Sequence, residues 1–271
     1  MPDLRHMIGS DCKAVLRSKR FWIALGLFII SAAVNIIEQY TLAGFNLKGG
    51  LDFFAFGNMY FVSLVRNIAP FIPAFVLSPL YTDDFNAVRD SSRTTSLKKM
   101  IAARSLSSAI IGGGIFIFSY LIILIVCFVI DPSLNAIYFE PWGLFADIYY
   151  SNAPLFVLFF FLYTALFGAL YGLFSSGVWL LSKNYWMAMA LPGIYYYCGR
   201  FLWPFFDNPL LSWAKFLPGY AFDFESLVTL WRRATEQGAV LLIAVILIVI
   251  SYFRLKKEPC KTAEKEIYSE G

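Results

Sequence analysis

Long apolar runs alternate with short polar segments along the whole chain. Six runs, at 21–43, 57–81, 105–130, 153–181, 186–206 and 236–254, are close to the length that a helix needs to cross a bilayer, about 20 residues. The last is the shortest. Its apolar core runs from Ala239 to Phe253 and reaches full length only with the flanking turn from Thr235. Ahead of the first run, Leu4, Ile8, Cys12, Val15 and Leu16 recur at helical spacing, with Arg5, Lys13 and Arg17 on other faces. That pattern predicts an amphipathic helix over 4–19, its apolar stripe in the inner membrane surface and its basic residues toward anionic headgroups. The plainer alternative is a basic flank that only sets topology. The first run passes small residues at Ser31-Ala32-Ala33, as a signal peptide would, but continues to Ile37, which predicts an uncleaved helix.

Composition fixes the class. Of 271 residues, 59% are hydrophobic and 15% charged, with a mean hydropathy of +0.65. Soluble domains carry about 45–50% apolar and about 25% charged residues. The expected fold is all-α: a polytopic membrane protein with six transmembrane helices. An entry helix within 1–20 precedes a transmembrane domain over 21–254, and a tail follows over 255–271. A secreted disulfide scaffold, a nucleic-acid binder and an ordinary cytosolic enzyme are excluded. The four cysteines form no CxxC or Cys/His spacing, so they read as idle or buried thiols.

Charge then gives orientation. With the amino terminus inside, 16 of the 22 Lys and Arg residues fall on the cytoplasmic side, 5 fall outside, and Arg66 lies within the second run. The positive-inside rule therefore predicts cytoplasmic termini. The longest internal cytoplasmic loop, 82–104, begins with Asp83-Asp84 and turns basic toward Lys98-Lys99. Acid at a helix start and base at its end suit the helix dipole. Ser91, Ser92, Thr94 and Thr95 interrupt the loop and can cap a second helix that continues into the third run. The competing reading is a solvated topogenic loop. Ser182-Lys183-Asn184 leaves room only for a tight hairpin. The outer segments 131–152 and 207–235 are rich in Trp, Tyr, Phe and Pro, which predicts short helices or re-entrant turns in the outer interface.

The search for chemistry finds little. The one histidine is His6, and GxxxxGK[ST] is absent. Multi-histidine metal sites, a Ser-His or Cys-His pair at membrane depth and a P-loop on this chain are therefore excluded. Apart from Glu236 at the very start of the last run, Glu38 is the only acidic residue inside a predicted span. Gly112-Gly113-Gly114 sits among Phe and Ile and predicts close helix packing. Arg66-Asn67 is the pair most costly to place in lipid. Two readings fit it: a polar contact in a transport pathway or headgroup site, or a side chain that snorkels outward or pairs with Glu38. Pro70, Pro73 and Pro79 follow, so the second span is expected to be kinked and to face the bundle interior or a subunit interface. Pro192-Gly193 before Tyr195-Tyr196-Tyr197 marks a second irregular helix, whose hydroxyls either line a path or sit in the outer belt.

The layout resembles the membrane subunits of ABC-2-type transporters, and most closely the small bacterial permeases of bacitracin and lantibiotic immunity. Four features carry the resemblance: the basic entry helix, the six spans, the first cytoplasmic loop running from Asp83-Asp84 through Ser91-Ser92-Arg93 to Lys98-Lys99, and Phe216-Leu217-Pro218-Gly219-Tyr220 before the last span. Unlike many members, the chain has no glycine after Asp83-Asp84 until Gly112. The resemblance implies a permease of the bacterial plasma membrane, with no catalytic residue, metal or cofactor of its own. ATP-Mg would be bound by a separate ATPase subunit, and a second permease subunit would pair in the membrane. Asp83, Asp84, Phe85, Arg89, Arg93, Lys98 and Lys99 would dock the ATPase, and Arg66, Asn67, Tyr195 and Tyr196 are candidates for the substrate path. The exported cargo would be a peptide, a drug or a lipid-like molecule. Two other classes stay open: an ion-coupled carrier using Arg66 and Glu38, and a membrane scaffold subunit that transports nothing.

Overall fold

The computed structural model describes residues 4–41, 49–59, 68–82, 97–133, 152–202 and 230–257. Among them every regular element is a helix: α1 (Leu4–Leu16), α2 (Lys19–Thr41), α3 (Gly50–Met59), a 3₁₀ turn (Ala69–Phe71), α4 (Ile72–Thr82), α5 (Leu97–Ile130), α6 (Ala153–Ser182), α7 (Tyr185–Leu202) and α8 (Leu230–Lys257). Four stretches are long and apolar enough to cross a membrane: Lys19–Ile37, Leu97–Ile130, Ala153–Ser182 and Gln237–Lys256. Their outward faces are apolar too. Ile30, Val129, Leu162 and Leu242 are each more than half exposed, on a surface that only hydrocarbon would solvate. This is a membrane protein.

Helix α6 is the hub. It packs along α5 and also meets α8, α7 and α4. In lipid, apolar contact between helices gains nothing from expelling water, so close backbone approach has to supply the dispersion. Small residues permit it. Gly112 faces Gly168, Gly172 faces the Ser108 carbonyl, and a Cβ on Gly113 would lie 2.8 Å from the Ala165 carbonyl oxygen. A Cβ on Gly112 or on Gly168 would overlap the other's carbonyl. The packing expected of Gly112 and Gly113 is therefore present. Gly114 differs, because nothing lies within 4 Å of a Cβ built there. On the opposite flank of α6, Gly177 lets α8 approach, with Leu247 Cβ 3.0 Å from where its own Cβ would be.

Several boundaries differ from the sequence expectation. The helix predicted over 4–19 stops at Leu16, and α2 begins at Lys19, ahead of residue 21, after a turn in which the Phe21 amide donates to Ser18 Oγ at 3.3 Å. The third run starts earlier than residue 105, at Leu97. The run expected as one span over 57–81 is not one helix. Among its described residues, 57–59 end α3, which starts earlier at Gly50, and Ala69–Phe71 form a 3₁₀ turn that leads into α4. The cause is local. Pro70 occupies the start of the 3₁₀ turn, where its missing N–H costs nothing. Pro79 lies inside α4, where it removes a backbone bond. The predicted hairpin is present: α6 ends on Lys183 in the left-handed region (φ 57°), and the Lys183 amide donates to the Trp179 carbonyl at 2.7 Å. Asn184 Oδ1 then accepts from the Trp186 and Met187 amides at 2.8 and 3.3 Å and caps α7.

Candidate functional site

The starts of α2, α5 and α7 and the ends of α4, α6 and α8 meet at one end of the bundle. Polar and aromatic side chains gather there around Trp179. Its indole N–H donates to the Tyr81 carbonyl at 3.0 Å, and its ring stacks on the Tyr81 ring with centroids 5.3 Å apart. Two cations lie over the same indole, the Arg104 guanidinium at 5.8 Å and the Lys183 ammonium at 5.4 Å. A buried arginine needs an anion or a π face to offset lost hydration. Arg104, only 8% exposed at its side chain, has both, for it also donates to Asp11 Oδ1 of α1 at 3.3 Å. That pair holds α1 against α5. It also borders a polar hollow of about 200 Å³ between the two helices, which His6 and Ser10 help to line. Burial and then the neighbouring Asp11 carboxylate push the Cys12 thiol pKa up, which keeps that cysteine protonated.

Further contacts tie the same end together. Arg254 Nη1 donates to the Leu181 carbonyl at 2.9 Å and joins the end of α8 to the end of α6. Lys98 at the start of α5 lies 5.9 Å over the Tyr252 ring of α8, and Arg20 lies 5.6 Å over the Tyr185 ring.

The opposite end has a smaller device. Asp131, just past α5, accepts from the Gly49 amide through Oδ2 and from the Ser133 amide through Oδ1, each at 3.0 Å. The Gly50 amide donates to the Ser133 carbonyl at 3.1 Å. Gly49 takes φ 108°, a conformation open to glycine. A Cβ on Gly50 would lie 2.5 Å from the Asp131 carbonyl oxygen. The start of α3 is thereby pinned to the end of α5. The backbone hydrogen bond from Ser133, followed by the bonds from its hydroxyl and from Gly49, holds the Asp131 carboxyl below the ordinary range.

The residues singled out in the sequence fall in three groups. Asp83, Asp84, Phe85, Arg89, Arg93, Arg66 and Asn67 lie outside the described residues. Lys98 and Lys99 are exposed on the first turn of α5. Tyr195 and Tyr196 sit in α7 against α6: Tyr196 is buried with its ring against Phe167 and Tyr171, and Tyr195 meets Phe174 edge-on at 5.7 Å. Beside them, Gly193 makes room for Phe71 of the 3₁₀ turn, whose ring would overlap any Cβ there.

Four residues at these two ends went unmarked in the sequence reading. Asp11 and Arg104 are 93 positions apart and look like separate basic-flank residues until the fold joins them. Trp179 is one more aromatic in an apolar run. Asp52 is fully buried in the first turn of α3, and here a weak signal existed, since acids are enriched in the first turn of a helix. Among the described residues, no group of three or more His, Cys, Asp or Glu is placed to hold a metal ion. No family model matches this chain, and comparison with curated proteins and with solved structures gave no significant match.

Proposed function

We propose that this chain is the membrane subunit of an ATP-driven exporter of the ABC-2 type, crossing the bacterial plasma membrane six times with both termini inside. In this reading α2, α5, α6, α7 and α8 each make one pass, and α3 with α4 makes the broken second pass. Helix α1 lies on the inner surface. A separate ATPase docks on the loop between α4 and α5, binds ATP-Mg, and works on a dimer of permease subunits. The cargo is peptide, drug or lipid-like.

One observation supports the reading more than any other. The two ends of the 83–96 loop, Thr82 and Leu97, belong to the same bundle end as Arg104, Lys183 and Arg254. That is the basic end, which the positive-inside rule places in the cytoplasm, where ATP is. From Leu97 the chain continues as one unbroken helix of 34 residues. A loop feeding directly into such a helix suits the transmission of force from a docked partner.

A second reading has one observation in its favour. The fully buried Asp52 in the broken pass gives a carboxylate of the kind that ion-coupled carriers use. One experiment separates the two. The chain is tagged in its native membrane and purified gently, and transport by the reconstituted preparation is measured with and without ATP, for the natural sequence and for Ala87→Pro. The exporter reading expects a P-loop ATPase to co-purify, and expects Ala87→Pro to uncouple hydrolysis from transport while the protein stays in the membrane. Transport driven by an ion gradient without any ATPase would replace it with the carrier.

A further inference from the structure

Beside the basic bundle end, a hollow opens on the side of the molecule. It lies between α1, the first turn of α2 and the middle of α5, and measures about 260 Å³. Its walls are almost wholly apolar and include Leu16, Phe21, Trp22, Ile110, Gly114 and Phe118. Gly114 explains why it exists. A Cβ there meets nothing within 4 Å, so the absent side chain leaves a notch in the α5 surface. Ile110 and Phe118 are 53% and 42% exposed. They continue into the outward apolar face formed by Ile117, Leu121 and Ile125. The groove therefore opens toward hydrocarbon.

Basic residues adjoin its lining residues Cys12, Leu16 and Phe21 along the chain. At the corner between α1 and α2 stand Lys13, Arg17 and Lys19, all exposed, and Arg20, half-buried. Trp22 closes the corner by donating its indole N–H to the Leu16 carbonyl at 3.1 Å. The carboxylate within α1, Asp11, is already paired with Arg104. Nothing acidic in the described part of α1 or the α1–α2 turn is left to neutralise the four cations. An apolar slot beside a basic corner at the membrane surface matches one kind of molecule, a lipid with a long chain and a net negative head. A zwitterionic lipid offers the same chain, but its amine would be set against the cations.

We infer that this groove binds one acyl chain of an anionic phospholipid, with the headgroup held by Lys13, Arg17 and the neighbouring Lys19. The inference goes beyond the ATPase-coupled reading and does not rest on it, since it requires only that the chain sits in a membrane.

The test uses the full chain in mild detergent, titrated with phosphatidylglycerol or with phosphatidylcholine of identical chains. Bound lipid is counted by native mass spectrometry. The natural sequence is expected to hold one phosphatidylglycerol in preference to phosphatidylcholine. Replacing Lys13 and Arg17 together by Gln should weaken phosphatidylglycerol about 30-fold, at about fivefold per basic residue, and abolish the preference. Gly114→Leu fills the notch and should lower the affinity for both lipids. Should that variant fail to fold, Ile110→Trp narrows the mouth from an exposed position and decides the matter. Equal binding of the two lipids by the natural sequence overturns the inference. So does unchanged phosphatidylglycerol binding in a folded groove variant, because the lipid would then be annular, without a site.

Discussion

The seam between α5 and α6 can be tested by a pair of substitutions three residues long in its reach. Gly112→Ala and Gly114→Ala add the same methyl group to the same helix, two residues apart, and both gain about 1 kcal/mol of helix propensity. That gain cancels in the comparison and leaves the steric consequence alone. At Gly114 a Cβ enters open space. At Gly112 it overlaps the Gly168 carbonyl, a backbone atom that no rotamer change can move aside. The helices must separate locally, and a methyl group forced into a packed interface costs about 1–3 kcal/mol. Gly112→Ala should therefore be less stable than Gly114→Ala by that amount. With about 2–4 °C per kcal/mol for a chain of 150–250 residues, the melting temperatures should differ by several degrees. Gly168→Ala, which meets both the Gly112 carbonyl and the Phe116 ring, should resemble Gly112→Ala. The assay is thermal unfolding of the purified variants in one detergent, followed by tryptophan fluorescence. Equal melting temperatures for Gly112→Ala and Gly114→Ala would falsify the claim that small residues set this seam.

Three further expectations follow from named contacts. Replacing Arg104 with Met should release α1 from α5 at a cost of about 1.5–3 kcal/mol, the worth of a hydrogen bond to a charged group; limited proteolysis within α1 reads the release, and an unchanged cleavage pattern would sever the link. Because the carboxyl pKa of Asp131 is lowered in the folded chain, its contribution is present above the usual value of about 3.9 and is lost as pH falls through the lower folded value; hydrogen exchange at Gly49 and Ser133 should accelerate in that acid window, and Asp131→Ala should show the fast exchange at every pH. Single cysteines at positions 48, 94 and 140, in a background without the natural cysteines, should give labelling from outside at 48 and 140 and protection at 94; the reverse pattern in intact cells would invert the topology.

How far the sequence spoke depends on the range of the interaction. Local signals held. Helical periodicity predicted over 4–19 gave α1, three residues too long, the short polar stretch Ser182-Lys183-Asn184 gave the tight turn, and the glycine run gave the close approach of α5. The prolines announced that the run over 57–81 would be irregular, yet not that Ala69–Phe71 would form a 3₁₀ turn. A hydropathy run measures greasiness, and it cannot distinguish a helix from a 3₁₀ turn flanked by two helices. No predicted span contains Gly49-Gly50 or Asp52, because one acid in a short, weakly apolar stretch is too faint a signal of a helix start. Contacts between distant positions were out of reach for a different reason. Arg104 was counted as one basic residue among sixteen, since orientation depends on charge number, whereas its burial depends on where α1 and Trp179 come to lie. The same holds for Asp131, whose two oxygens serve amides at Gly49 and Ser133.

These two kinds of residue divide the bundle mechanically. Helices α5, α6 and α8 are joined by glycine contacts and run without interruption in their described portions. A 3₁₀ turn at Ala69–Phe71 precedes α4, and α7 carries Pro192 beside the glycine that admits Phe71. Under the ATPase-coupled reading, a push on the loop between Thr82 and Leu97 meets these two kinds of structure on its two sides. Toward α4 it reaches the 3₁₀ turn after 11 residues, about 16 Å. Toward α5 it travels 34 residues, about 51 Å, to the far end of the same helix. There Asp131 holds the first residues of α3. Under that reading the unbroken helix α5 would connect the loop to the start of α3. Motion that begins at the loop would reach α3 by way of α5, and the Asp131 clasp is the joint where that transfer would be made or lost.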